Sequence, residues 1–280
     1  MIPAAFEYER AASLDHALDL LAEGGEDARP LAGGHSLLPL MRLRLARPTL
    51  LVDLGGLNEL RGISADGDDV VIGALCTHHD LAGSEALTGS ARLLARVAGQ
   101  IGDPQVRHRG TIGGSVAHAD PASDLPAALL ALDAEIVLLG ADGERAVPAS
   151  EFFVGPFMSA LEPGEILTHV RIPRRDRAST YVKFQRRAQD WAIVGVAALV
   201  ERNGARVESA AIGLTNMGPV PLRPSAVEEA LAGAESEGDM AAAAALVEKI
   251  GTPPADENAS SEYRLHLAEV LIRRAVNAAD

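Results

Sequence analysis

The amino-acid sequence predicts an α+β fold in two parts, and three observations carry that reading. Short apolar runs of strand composition, at residues 50–54, 70–73 and 134–139, alternate with segments whose apolar residues recur at spacings of three and four. The polar run 174–179 interrupts the apolar pattern and places a boundary near residue 176. Beyond it, strand-like runs at 193–201 and 207–214 flank the hairpin signal Arg202-Asn203-Gly204, and three helical segments follow. The second part is therefore an antiparallel sheet with helices.

In chain order, Ser13 stands where an N-cap would, ahead of an amphipathic segment carrying Leu14, Ala17, Leu18 and Leu21, which Gly24-Gly25 closes. Residues 29–32 form a brief strand, and Gly33-Gly34-His35-Ser36 follows at once. Residues 37–45 read as a helix, with Pro39 tolerable only in its first turn and Ser36 near its N-cap. Thr77 starts another helix or turn. Leu87, Ala91, Leu94, Ala98 and Ile101 share one helical face, and Gly102 ends that pattern. Residues 125–132 are apolar and helical in composition, 134–139 a strand, and Asp142-Gly143 a hairpin turn. Residues 226–231, 240–250 and 261–278 are the three helices of the second part.

Composition narrows the function. Twenty-five basic residues against 39 acidic ones leave a net charge of -14, which argues against nucleic acid as a partner. No apolar run approaches the ~20 residues of a membrane span, and the N-terminus lacks the pattern of a secretory signal, so a cytoplasmic location is expected. Cys76 is the single cysteine. An iron–sulfur cluster needs about four thiolates, so this chain cannot hold one by itself.

Two glycine turns concentrate the chemistry. Gly33-Gly34 sits between a strand and a helix, where free backbone N–H groups favour a phosphate. The second turn, Gly110-Thr111-Ile112-Gly113-Gly114-Ser115, mixes glycines with two hydroxyls. Glycines let a ligand approach the backbone without a Cβ in the way, and successive N–H groups facing one concavity form a nest for an anion. A lone Gly-Gly is an ordinary structural turn, but two flanked by Ser or Thr could clamp the two phosphates of one pyrophosphate. The Gly-x-Gly-x-x-Gly fingerprint is absent. His118, Asp120 and Asp124 make a poor metal set, with Pro121 between them and no further His or Cys near in sequence. Asp124 reads better as an acceptor for a sugar hydroxyl. His78-His79 reads as a surface or helix-start pair. Lys183, Arg186, Arg187 and Asp190 are either a solvated face or a loop covering a ligand, and packing is the ordinary role for the lone Trp191.

Ala32-Gly33-Gly34-His35-Ser36 together with Thr111-Ile112-Gly113-Gly114-Ser115 and Asp124 resembles the flavin-binding subunit of the molybdenum hydroxylases, a group that includes xanthine dehydrogenase and aerobic carbon monoxide dehydrogenase. Asp103-Pro104-Gln105-Val106-Arg107 and Arg186-Arg187-Ala188-Gln189-Asp190-Trp191-Ala192 look most like the carbon-monoxide-type branch. Xanthine-oxidising enzymes carry a more acidic run where this chain has Arg187-Ala188-Gln189-Asp190. The resemblance implies a PCMH-type, vanillyl-alcohol-oxidase-like FAD-binding domain of two subdomains over 1–176 and an α+β C-terminal domain over 177–280. It further implies FAD held by Leu31, Ala32, Gly33, Gly34, His35, Ser36 and Leu37 in the first turn and by Thr111, Gly113, Gly114 and Ser115 in the second. Asp124, Ile101, Leu167, Lys183, Asp190 and Trp191 would approach other parts of the cofactor.

The resemblance also implies partners. A large subunit would hold molybdenum on molybdopterin cytosine dinucleotide, with copper in some members, and a small subunit two 2Fe-2S clusters, in a dimer of heterotrimers. Electrons would leave the FAD for a quinone or other acceptor, with the complex free in the cytoplasm or on the cytoplasmic face of the membrane. No catalytic acid, base or nucleophile and no metal ligand is expected in this chain, because the flavin carries the redox chemistry. Three other readings stand beside this one. The first is a flavin subunit whose large partner acts on a purine, an N-heterocycle or an aldehyde. The second is a stand-alone flavin reductase of the same fold, and the third a non-catalytic nucleotide-binding module.

Overall fold

The computed structural model describes residues 2–280. Strand β1 (Glu7–Arg10), helix α1 (Leu14–Gly24), β2 (Ala28–Leu31), α2 (Leu37–Arg42) and β3 (Leu50–Asp53) build a small first subdomain. Its sheet is parallel, with β3 between β1 and β2. Ser13 caps α1 as expected, accepting from the His16 N–H at 3.1 Å. β1 went unread in the sequence because all four of its residues are exposed and show no alternation.

The second subdomain is an antiparallel sheet with helices on it. Strands β4 (Ile63–Asp66) and β5 (Asp69–Gly73) precede α3 (His78–Ala82), α4 (Arg92–Ala98), α5 (Pro104–Arg107), α6 (Ile112–His118) and α7 (Asp124–Ala131). Then come β6 (Glu135–Gly140), β7 (Gly143–Pro148), the short α8 (Ala149–Phe152), the hairpin β8 (Phe153–Gly155) and β9 (Met158–Ser159), and β10 (Ile166–Pro173). β10 lies at the centre of the order β4-β5-β10-β6-β7. All eight residues of α7 are buried, which suits a helix apolar on every side.

The third part comprises β11 (Ala178–Phe184), β12 (Val194–Asn203), β13 (Arg206–Thr215), α9 (Ser225–Leu231), α10 (Glu237–Ala244) and α11 (Ser261–Ala278). Its sheet is antiparallel in the order β11-β12-β13, with Gly204 at φ +62° in the hairpin. One face packs on the terminal helices around Val194, Val196, Leu214, Leu267 and Ile272. The other joins the core of the second subdomain through Tyr181, Ala197, Leu199 and Ala211. Gly213 lies so close to the Ala127 carbonyl of α7 that no Cβ would fit. The part beyond the polar segment near 176 thus builds its own core with its helices on one face of the sheet and shares the core of the second subdomain on the other.

Three expected helix boundaries shift. The face starting at Leu87 is broken, because Gly89 is left-handed (φ +54°) and Ser90 donates to the Arg175 carbonyl through its N–H at 2.9 Å and its hydroxyl. α2 stops at Arg42 instead of continuing to 45, and Ser36 makes no capping bond. The second glycine turn lies mostly inside a helix, with Thr111 as the N-cap of α6.

Candidate functional site

The two glycine turns meet face to face. Gly33 abuts the Arg109 carbonyl so closely that a Cβ there would collide with it. A Cβ built on Gly114 would come 3.9 Å from the Ala32 Cβ. The fold thus brings Ala32–Ser36 and Thr111–Ser115 into one place, as a clamp made of the two glycine turns requires, although about eighty residues separate them.

Their hydrogen bonding differs. Among the described residues, the backbone N–H groups of Gly33, Gly34, His35 and Ser36 have no backbone acceptor. Gly34 is left-handed at φ +76°, which turns successive N–H groups toward one side. Leu31 and Leu37 flank the turn, both half-buried, and His35 is exposed, so its ring does not pack. This turn is a ready anion cradle.

In the second turn the backbone N–H groups from Ile112 to Ser115 are spent. The Ile112 N–H goes to the Cys76 carbonyl at 3.0 Å, that of Gly113 to the Ala74 carbonyl at 2.9 Å, and that of Ser115 to the Thr111 carbonyl at 3.0 Å. The Gly114 N–H donates to Thr111 Oγ1 at 3.1 Å. The expectation that Gly113 offers its N–H to an anion is corrected, because Gly113 is a packing glycine. A Cβ there would meet the Ala74 Cβ at 2.6 Å and its carbonyl oxygen at 2.8 Å. What the second turn leaves open is the exposed face of Gly114 and the half-buried Ser115. One wall carries free donors and the other a smooth, Cβ-free surface, an arrangement that fits a pyrophosphate.

Beneath the second turn lies His78, a surface or helix-start residue by its sequence: it does open α3, but its side chain is buried at 4% exposure. Its N–H donates to the Gly110 carbonyl at 2.9 Å, and its ring occupies the space a Gly110 Cβ would need. Burial, with His35 and Arg107 nearby, pushes its pKa down to about 4, so the ring is neutral. His79 is exposed and stacks on His108 with ring centroids 3.9 Å apart.

A second cluster joins the cofactor subdomain to the last sheet. Asp124, at the start of α7, is buried and accepts from Lys183 Nζ at 2.8 Å and from the Tyr181 hydroxyl. The Lys183 side chain is 1% exposed and also donates to the Gln100 carbonyl at 3.3 Å, beside Ile101. Lys183 therefore leaves the solvated face that its sequence neighbours suggested, whereas Arg186 and Arg187 are exposed. Burial raises the Asp124 carboxyl against the pull of Lys183, and burial next to Asp124 raises the Tyr181 hydroxyl well above its usual range. Both Asp124 oxygens are engaged within the chain, so its primary contacts are Lys183 and Tyr181, with no sugar hydroxyl needed to satisfy it. Tyr181 was missed in the sequence because nothing local marks its pairing with Asp124, 57 residues away.

The remaining residues frame this region. Ile101 is half-buried on the first core, and Arg107 Nη1 donates to its carbonyl at 3.0 Å. Leu167 is buried in β10, where the register shifts, and the next carbonyl, that of Thr168, accepts from the Ala74 N–H at 2.9 Å. Ala74 is the residue Gly113 packs on. Asp190 is half-buried, and Trp191 is 59% exposed, which removes it from the core. Asn216 ties the neighbouring Ala192 to Pro121, its side-chain N–H donating to the Ala192 carbonyl at 2.9 Å and its backbone N–H to that of Pro121 at 2.9 Å. The segment with Trp191 is thereby anchored near Asp124.

A fold of this kind with this cradle defines a class. Residues 4–175 match the FAD binding domain in molybdopterin dehydrogenase, and residues 179–279 match the CO dehydrogenase flavoprotein C-terminal domain. The chain belongs to the FAD-binding subunits of the molybdenum hydroxylases. Within that family it is 42% identical to the carbon monoxide dehydrogenase medium chain of Afipia carboxidovorans, covering 100% of this chain and 98% of the relative. It is 39% identical to the glyceraldehyde dehydrogenase medium chain of Sulfolobus acidocaldarius, covering 98% of both chains. A crystal structure of cyanide-inactivated Cu,Mo-CO dehydrogenase contains a chain that superposes with a TM-score of 0.96 at 42% identity, covering 100% of this chain and 99% of that one. Quinoline 2-oxidoreductase from Pseudomonas putida 86 gives the same TM-score of 0.96 at 34% identity, covering 100% of this chain and 98% of that one. Among the described residues, no helix is long and apolar enough to cross a membrane.

Proposed function

We propose that this chain is the flavin subunit of a carbon-monoxide-dehydrogenase-type complex, with residues 1–176 as the FAD domain and 177–280 as the domain that closes over it. A large subunit would hold the molybdenum cofactor, with or without copper, and a small subunit two 2Fe-2S clusters, assembled as a dimer of heterotrimers in the cytoplasm. Bound FAD would accept electrons from the clusters and release them to a quinone or a comparable acceptor. The observation that carries this reading is the open backbone of Gly33–Ser36 set against Gly114.

The residues of the chain then divide the work. The N–H groups of Gly33, Gly34, His35 and Ser36 would hold the pyrophosphate, with Leu31, Ala32 and Leu37 shaping the turn around it. Gly114 and Ser115 would form the opposing wall, with the buried Thr111 and Gly113 supporting it from behind. Lys183, fixed by Asp124 and Gln100, would hold a buried positive charge near the flavin, with Ile101 and Leu167 as apolar neighbours. Asp190 and the exposed Trp191 would line the approach for an acceptor. None of these needs to act as an acid, base or nucleophile.

Carbon monoxide is favoured over other substrates of the family by the 42% identity to two carbon monoxide dehydrogenase medium chains over the whole chain. Purification of the natural complex tests the reading. It should contain FAD, molybdenum and iron together with two further chains, and carbon monoxide should bleach its flavin absorbance. Bleaching by an aldehyde or an N-heterocycle but not by carbon monoxide would move the complex to a sister branch. A free chain that is reduced by its own substrate would make it a stand-alone reductase.

A further inference from the structure

Two buried polar side chains from different elements are spent on two consecutive carbonyls. Arg264, in α11, is 1% exposed, and its Nη1 donates to the Ile193 carbonyl. Asn216, just past β13, is also buried, and its side-chain amide donates to the Ala192 carbonyl at 2.9 Å. Arg264 Nη2 donates to Asp256 Oδ2 at 2.7 Å, while Nε is buried with no partner among the described residues. A buried guanidinium with a donor left unpaired is a costly way to fill a core that an apolar side chain would fill as well. What the arginine adds is direction, because its planar fork fixes two acceptors relative to each other.

The clamped carbonyls lie at the foot of an excursion from the last sheet. Lys183 pairs with Gly195, and Phe184 with Val194. The chain then leaves the sheet at Gln185 and returns at Ile193, whose N–H donates to the Phe184 carbonyl at 2.8 Å. Residues 185–192 therefore form a loop pinched at its base, with the exposed Trp191 immediately before the held carbonyl of Ala192. Asp256, which Arg264 engages, also accepts from the N–H groups of Asn258 and Ala259 at 2.8 and 3.0 Å. Asn258 Oδ1 in turn accepts from Arg186 Nη1 at 3.2 Å, so the turn 256–259 serves both ends of the loop.

The loop is tied to the buried pair at each root. It begins two residues after Lys183, which holds Asp124. At the other root, Asn216 is left-handed at φ 62°, and its backbone N–H donates to the carbonyl of Pro121, three residues before Asp124. We infer that Arg264 and Asn216 are positioning residues: by clamping the carbonyls of Ile193 and Ala192, they set where Trp191 stands at the approach to the cofactor. This deepens the function proposed above and rests on it. Two donors on adjacent carbonyls fix the orientation of the peptide as well as its place, which one donor alone does not. Each residue acts through the indole, and so each should be silent once the indole is gone.

Asn216→Gly and Arg264→Lys test the clamp, with Trp191→Ala as the reference. Glycine keeps the left-handed backbone and the bond to Pro121 while removing the amide, so Asn216→Gly decides the matter should Arg264→Lys fail to fold. Trp191 is the sole tryptophan, and the fluorescence anisotropy of the full chain reads the loop directly. Anisotropy should fall in both clamp variants while FAD content holds. In the co-expressed complex, the second-order rate at which menadione reoxidises the reduced flavin should fall about threefold or more in each. Trp191→Ala should slow it too, and Trp191→Ala combined with Asn216→Gly should be no slower than Trp191→Ala alone. Wild-type anisotropy in the clamp variants would overturn the assignment, and so would a double variant whose losses multiply. Lower melting with anisotropy and reoxidation unchanged would reduce the clamp to a stability element and overturn it as well. A chain that binds no FAD would remove the function proposed above and leave the anisotropy result standing, so the two failures are distinct.

Discussion

The two glycine turns look alike in sequence and do opposite things with their backbones. In the first, four successive N–H groups are left without a backbone acceptor, and Gly34 is left-handed. In the second, every N–H from Ile112 to Ser115 is already bonded within the chain, and the glycines serve close approach instead. A paired motif can therefore divide its labour, one member supplying donors and the other a surface smooth enough to come near them. The second turn can give up its donors because it opens a helix that must also satisfy Ala74 and Cys76, two carbonyls at the end of the β5 strand.

The largest expected effect tests the contact between the turns. In Gly33→Ala the new Cβ meets the Arg109 carbonyl, a backbone atom that cannot swing aside. Flavin content should fall below about a tenth of wild type, and stability should fall by more than the ~3 kcal/mol typical of overpacking. Visible absorbance and thermal melting check both, and a fully flavinated protein would show that the turns are not pressed together.

Next in size is Lys183→Met, which leaves Asp124 buried without its counter-charge. A loss of about 3–5 kcal/mol is expected, measured by chemical denaturation. Lys183→Arg should recover part of it. If Lys183→Met costs nothing, the contact between α7 and the last sheet does not depend on this pair.

His78→Phe addresses what supports the second turn and carries a pH signature. The folded pKa of about 4 lies below the ordinary 6.5, so the folded state refuses a proton that the unfolded state accepts. The wild-type stability is full above pH 6.5 and declines as pH falls through the window to about 4, by roughly 3 kcal/mol in all. The variant should show a flatter acid limb, read from denaturation curves at pH 7 and pH 4.5. Identical acid limbs would mean that His78 does not titrate as its burial requires.

Gly113→Ala and Gly114→Val separate the roles inside the second turn. The first should cost about 1–3 kcal/mol through contact with Ala74, while FAD affinity changes little at permissive temperature. The second brings a Cβ to 2.8 Å from the capping Thr111 Oγ1 and 3.9 Å from the Ala32 Cβ at an exposed position, so stability should fall by no more than about 1 kcal/mol while FAD is lost. Flavin retention in Gly114→Val would show that the smooth wall is not where the cofactor passes.

Much of this was legible in the sequence, and the gaps have physical causes. Ser13, Thr77 and the turns at Asp142-Gly143 and Asn203-Gly204 announce themselves because caps and hairpins are local chemistry. The cradle could be read from Gly33-Gly34 for the same reason. The saturated donors of Gly113 and Ile112 could not, because their acceptors lie in the turn that follows β5, about forty residues earlier. The buried set Asp124–Tyr181–Lys183 joins two domains, and the cluster around Lys183 reads in sequence as a solvated run. Trp191 misleads in the other direction, since a lone tryptophan is ordinarily packed and this one is 59% exposed.

Hydrogen–deuterium exchange on the purified complex, with and without FAD, tests the division of labour most directly. Peptides spanning 31–37 should exchange rapidly without FAD and gain strong protection when it binds. Peptides spanning 110–116 should be protected already and change little. Fast exchange at 112–115 without FAD, followed by protection on binding equal to that of the first turn, would contradict the account.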